Sequence, residues 1–252
     1  MRNIAIIVSY DGTDFCGWQV QNNGISVAQK INEAILSLTG KKSKLYGSGR
    51  TDSGVHAFGQ CANFFTEFAA PCERIVLGLN AYLPPEIRVI RAYEVGKDFN
   101  ARFSAAGKTY EYVIYNANVF SPFYINKAYW VKYNLEVEKM NEAAKVLLGE
   151  HDFSAFMAAG SPVKSTVRNL YELSAEREGS IIKIKASSNG FLYNMVRILT
   201  GTLIYAAQGK LSPKDVQNIL ESGKREKGAP TAPPDGLYLK RVYYKDGYEY
   251  VV

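Results

Sequence analysis

Sulfur and imidazole are scarce in this chain. The three cysteines, Cys16, Cys61 and Cys72, are odd in number, far apart and in no Cys-x-x-Cys pair. That pattern argues against a disulfide scaffold or a thiolate metal site and fits a reducing, cytoplasmic setting. Two histidines, His56 and His151, are too few for a histidine-rich metal centre. Long apolar runs are missing as well. The N-terminal run Ile4 to Val8 is too short for a signal-peptide core, is soon followed by Asp11 and reads as a strand. The longest weakly charged stretch, 186–209, holds Arg197 near its middle among several Asn, Ser, Thr and Gln, which argues against a membrane span. No cofactor-binding motif occurs.

What is present is an ordinary globular composition. With 252 residues, 47% of them apolar, the chain can bury a sizeable core as one large domain or two modest ones. Thirty Lys and Arg against 24 Asp and Glu give a net charge of +6, which favours a polyanionic partner. Eighteen tyrosines and twelve phenylalanines add aromatic faces of the kind that receive unstacked bases, although most belong to the core.

Periodicity lays out the elements. Strands are expected at 4–9, 55–66, 87–95, 108–116 and 238–244, with a hairpin over 167–175 and 180–186. A loop over 11–23 carries Phe15, Trp18 and two glycines. Helices are expected from Ser26, as cap, to Leu38 with Gly40 as stop, and over 74–82, 135–148, 191–207 and 212–221. The polar, glycine-ended segment 98–107 marks a boundary, giving halves 1–104 and 105–252. The loosely repeated order of strands and helices in both halves predicts an α/β (α+β) protein with mainly antiparallel sheets.

One stretch stands out from this framework. From Gly47 to Ala57 the chain reads GSGRTDSGVHA, a polar loop with three glycines wedged between apolar segments. Glycines at this density permit close backbone approach to a ligand. If 50–52 is extended, Arg50 and Asp52 share one side and put a cation and a potential nucleophile in one place. A glycine-rich turn with a local ion pair is the alternative. A second signal is Arg197, the one charged side chain between Lys185 and Lys210, in a helix otherwise apolar around most of its circumference. A buried guanidinium needs an anionic partner, either Asp52 or another acid, unless this end of the helix is more exposed than its apolar neighbours suggest.

The string GRTDSGVHA resembles the central motif of the tRNA pseudouridine synthase A family. Three further segments resemble that family: KTYEYVIYN around Tyr110, NGFLYNMVRILTG from Asn189 to Gly201, and APPDGLYL from Ala232 to Leu239. The resemblance runs over nearly the whole chain, and its one departure, Ser53 where alanine is common, touches no chemistry.

It implies the pseudouridine synthase fold, with two similar halves whose sheets join across a central cleft. It implies isomerisation of uridine to pseudouridine at positions 38 to 40 of tRNA, in the anticodon stem-loop, by a homodimer with no metal or organic cofactor. Asp52 would be the catalytic carboxylate, paired with Arg197, while Arg50 contacts RNA and presents the target nucleotide. Tyr110 would stack on the uracil and serve as base for the C5 proton. Thr51, His56, Leu192 and Leu237 would line the substrate site. By spacing alone Tyr110 reads more readily as a core residue than as a catalytic one, and His56 as a hydrogen-bonding scaffold group.

Two other features read as structure. His151-Asp152-Phe153-Ser154 lacks a nucleophile elbow. The loop carrying Lys224, Arg225 and Lys227 reads as solvated surface or as an RNA contact. Rival functions are a non-catalytic RNA-binding protein, for which charge and aromatics suffice, and an N-glycosidase, which would need a second acid beside Asp52.

Overall fold

The computed structural model describes residues 1–22, 24–160, 163–245 and 247–251. Asn23, the expected end of the loop after the first strand, lies outside them. The chain divides into two compact units, Met1–Gly107 with Tyr238–Val252, and Lys108–Leu237.

In the first unit β1 (Arg2–Tyr10) is buried at every position except Arg2 and Ser9. Such a run belongs at the centre of a sheet with both faces covered. Helix α1 (Val27–Thr39) follows, begun by the Ser26 side chain accepting from the Gln29 amide and ended by Gly40 in the left-handed conformation, φ 70°. These are the expected cap and stop. A two-residue strand, β2 (Tyr46–Gly47), then pairs with β3 (His56–Thr66). Helix α2 (Cys72–Tyr82) starts right after Pro71, two residues earlier than its apolar pattern predicts, and stops before Pro84. Strand β4 (Ile87–Val95) completes this part, so that β1 runs antiparallel to β3 on one side and β4 on the other. Two buried asparagines fasten the segment that leaves β4: Asn3 donates to the carbonyls of Gly96 and Phe99, and Asn63 accepts from the Ala101 amide.

The second unit is built on β5 (Ala105–Asn116), whose Tyr110, Tyr112 and Ile114 face inward as the alternation predicts. Then come β6 (Tyr129–Val131), α3 (Val137–Lys145), β7 (Gly149–Asp152), β8 (Val167–Glu178), β9 (Ile181–Ser188), α4 (Met195–Ala207) and α5 (Pro213–Ser222). The antiparallel order is β5-β9-β8-β7, with β6 parallel to β5. Helix α3 is shorter than the expected 135–148. Helix α4 begins at Met195 instead of residue 191, because Asn194 adopts φ 59°, ψ 9°, and a left-handed residue cannot continue into a right-handed helix. Within the His151-Asp152-Phe153-Ser154 segment, His151 and Asp152 pair with Arg168 and Val167 as the end of β7, and a short 3₁₀ turn follows at Ser154–Phe156.

The chain then returns to the first unit as β10 (Leu237–Tyr244), which lies parallel to β3 with Tyr238 opposite His56 and Leu239 opposite Ala57. Its last tyrosine anchors it, the Tyr244 hydroxyl donating to the Ala101 carbonyl at 2.9 Å. Ten strands and five α-helices are thus found among the described residues, a mixed α/β architecture with mainly antiparallel pairing, the class expected from the sequence. Among the same residues no helix is long and apolar enough to cross a membrane.

Candidate active site

The polar loop lies between β2 and β3 and is held to its own unit at every second or third residue. The Ser48 amide donates to the Cys61 carbonyl at 2.8 Å, and the Thr51 carbonyl accepts from the Trp18 amide at 3.1 Å. A turn closes from the Val55 amide to the Asp52 carbonyl at 3.2 Å. Gln60 donates to the Gly49 carbonyl at 3.1 Å and accepts from the Ser48 hydroxyl. Thr51 is buried, its Oγ1 2.7 Å from the Tyr10 hydroxyl, whereas Arg50 is exposed and Asp52 half-buried. Burial therefore alternates through Arg50-Thr51-Asp52, the middle side chain anchored inside the unit.

A second loop, 11–18, braces the first. Gly17 has φ 97°, and a Cβ there would fall 2.5 Å from the Thr51 carbonyl oxygen, so only glycine lets the two backbones meet. The Ser53 hydroxyl donates to the Phe15 carbonyl at 3.2 Å. His56 is buried, with its Nδ1 accepting from the Gly12 amide at 3.0 Å and lying 3.1 Å from Asp11 Oδ1. Its ring stacks on Tyr238 with centroids 4.6 Å apart. Burial pushes the Tyr10 hydroxyl well above the usual tyrosine range, so it stays neutral and acts as a hydrogen-bonding strut. Sequence reading missed Tyr10, Gly17 and Trp18 as supports of the loop. The glycines and aromatics of the 11–18 stretch were the signal available.

The second unit carries the other expected residues. Tyr110 on β5 is 8% exposed and meets Phe191 edge to face at 5.1 Å. Leu192 is buried and its carbonyl accepts from the Met195 amide, closing the turn into α4. Arg197 sits half-buried in the first turn of α4 between buried Val196 and Ile198. Its Nε donates to the Ala232 carbonyl at 2.7 Å and its Nη1 to Asn194 Oδ1 at 2.9 Å, while the Ala232 amide donates back to the Arg197 carbonyl at 3.1 Å. The strap 229–236 lies against the helix: a Cβ on Gly201 would fall 1.9 Å from the Pro230 carbonyl oxygen. Tyr112 completes the clasp by donating to the Pro233 carbonyl at 2.7 Å. Burial keeps this hydroxyl neutral, with the nearby Arg197 charge opposing the shift. Leu237, just beyond the strap, is buried.

Arg50, Thr51, Asp52 and His56 are thus gathered on one loop and its exit strand, and Tyr110, Leu192, Arg197 and Leu237 belong to the other unit. His151 is held by the Leu148 carbonyl at 2.8 Å and by the edge of Phe153, consistent with a packing role. Arg225 of the basic loop is tied to Thr231 Oγ1 at 3.1 Å. Among the described residues no group of three or more His, Cys, Asp or Glu side chains is gathered to hold a metal ion.

A family model described as tRNA pseudouridine synthase matches residues 6–104 and 143–245. The chain belongs to the tRNA pseudouridine synthase family. It is 46% identical to the tRNA pseudouridine synthase A of Acetivibrio thermocellus over 244 residues, 97% of this chain and all of that one. A Thermoanaerobacter tRNA pseudouridine synthase A matches equally, at 46% over 244 residues, 97% of this chain and all of its own. That of Citrifermentans bemidjiense is 44% identical over 247 residues, 98% of this chain and 99% of its own. The two stretches matched by the family model contain the Arg50–His56 loop and the Arg197 helix with its strap, and Tyr110 falls between them.

Proposed function

We propose that this tRNA pseudouridine synthase isomerises uridine at positions 38 to 40 of tRNA, in the anticodon stem and loop, with Asp52 as its catalytic carboxylate. As a member of the family the chain is an isomerase that converts uridine to pseudouridine in tRNA. The observation that carries the residue assignment is the braced loop, which leaves Arg50 exposed and Asp52 half-buried on either side of a buried Thr51.

The reaction breaks the bond from C1′ to N1, turns the uracil and joins C1′ to C5. The C5 proton leaves, N1 gains one, and the RNA keeps its mass. What such a change asks of the protein is an ionised carboxylate that attacks the sugar or the ring or removes the C2′ proton. In this reading Asp52 supplies it and Arg197 is the cation that keeps it ionised. The stacked target must be extruded first, at a cost of a few kcal/mol, which aromatic and cationic groups repay. Arg50 contacts the RNA and helps to present the target nucleotide. Tyr110 stacks on the uracil and takes the C5 proton, with Thr51, His56, Leu192 and Leu237 shaping the surroundings. The enzyme works in the cytoplasm as a homodimer, one tRNA touching both subunits, since a single subunit with a net charge of +6 offers limited area for a whole tRNA.

The experiment is tritium release from uridine C5 in unmodified tRNA transcripts that keep a single uridine at 38, 39 or 40. Release by the wild-type protein and none by Asp52→Asn is expected for all three transcripts. Tight binding without release would indicate a binding protein, and loss of free uracil from the RNA would indicate a glycosidase.

A further inference from the structure

Asparagine at the start of a helix ordinarily turns its side chain back to accept from an amide of the first turn. Asn194 does not: it is the N-cap of α4 and its side chain makes no capping bond. The carboxamide oxygen instead accepts from Arg197 Nη1 at 2.9 Å. The residue also holds a left-handed backbone, φ 59°, which a side chain adopts at an energetic cost and glycine adopts freely. Two features that would each favour another arrangement are therefore kept together, and both serve one contact.

That contact has a counterpart. Arg197 Nε donates to the Ala232 carbonyl at 2.7 Å, and the strap bearing Ala232 is fixed to the helix by the Ala232 amide and by the close approach of Pro230 to Gly201. A guanidinium is planar, so acceptors on two different nitrogens, from two different segments, fix both its plane and its rotation.

We propose that Asn194 is a positioning residue for this reaction, holding the Arg197 guanidinium in one fixed orientation. The inference rests on the role given to Arg197 above. In this role Asn194 acts through Arg197.

The test is single-turnover tritium release, with enzyme in excess over tRNA, for Asn194→Gly, Asn194→Ala, Arg197→Gln and the Asn194→Gly/Arg197→Gln double variant, beside their melting temperatures. Asn194→Gly relieves the backbone and keeps or raises the melting temperature. Asn194→Ala retains the strain and lowers it. Both lose about 10- to 100-fold in rate at saturating tRNA, with little change in KM, because a misaligned group costs rate without costing binding. In the Arg197→Gln background Asn194→Gly has no further effect. An unimpaired Asn194→Gly beside an impaired Arg197→Gln would overturn the inference alone. The same fold loss from Asn194→Gly in both backgrounds would also overturn it, since the asparagine would then act independently of Arg197. An unimpaired Arg197→Gln would remove the role of Arg197, and the inference with it.

Discussion

The Tyr10 hydroxyl and Thr51 Oγ1 lie 2.7 Å apart in the interior of the first unit, joining the last residue of the central strand to the residue between Arg50 and Asp52. Tyr10→Phe removes one partner of that bond and leaves the Thr51 hydroxyl unsatisfied. It should cost about 1 kcal/mol in urea unfolding and slow tritium release roughly tenfold through a looser loop. A full rate at reduced stability would mean that the loop keeps its working geometry without this strut.

Gly201→Ala should disturb Arg197 from a distance. The added methyl would sit 1.9 Å from the Pro230 carbonyl oxygen, so the strap must move and take the Ala232 acceptor with it. Overpacking of this kind costs about 1–3 kcal/mol. The rate should fall more steeply than tRNA affinity, as measured by single-turnover release and filter binding. Equal losses in both would point to general damage instead.

Tyr110 separates stacking from proton transfer. Tyr110→Phe keeps a ring that can meet Phe191 edge to face, yet has no hydroxyl to take the C5 proton. Its tritium release should drop by roughly 100-fold or more with KM little changed, while Tyr110→Leu should raise KM as well. An active Tyr110→Phe would assign the proton to another base.

Alkaline unfolding provides a pH test. Burial pushes the Cys61 thiol from its ordinary value of 9.0 up to about 12, the Tyr244 hydrogen bond opposing the shift. A raised folded value means that the unfolded chain loses this proton first. The stability contributed by the neutral thiol is therefore complete below pH 9.0 and drains away between there and about pH 12. Burial shifts Tyr10, Tyr112 and Tyr244 in the same direction. Urea midpoints should fall above pH 9, and less steeply in Cys61→Ala. Parallel slopes in the two proteins would remove the thiol from this account.

What the sequence disclosed follows from how local each signal is. Ser26 and Gly40 bound α1 through chemistry that spans a few residues, and the structure shows both in those roles. The Arg50–Asp52 loop was legible because glycines cluster there beside charged residues. Asn194 was not, since its left-handed backbone goes with a side-chain bond to Arg197 that no helical period encodes. The polar partners of Arg197 in its own unit include a main-chain carbonyl, that of Ala232, and no residue type announces a carbonyl. Strands of three and four residues, β6 and β7, are too short to show a period of two. The place of β10 beside β3 is a pairing across most of the chain, invisible to any window.

That last pairing bears on how the molecule is made. Residues 56–57, just past the loop that carries Asp52, find their parallel neighbours in 238–239. A nascent chain therefore exposes Asp52 long before the strand that flanks its loop has been translated. Until Leu237–Tyr244 arrive, residues 56–57 at the start of β3 lack this neighbour, a short stretch of the kind of edge that recruits other strands. Prematurely terminated products would possess every residue of the loop and its braces, yet lack the strand that pairs beside the loop's exit.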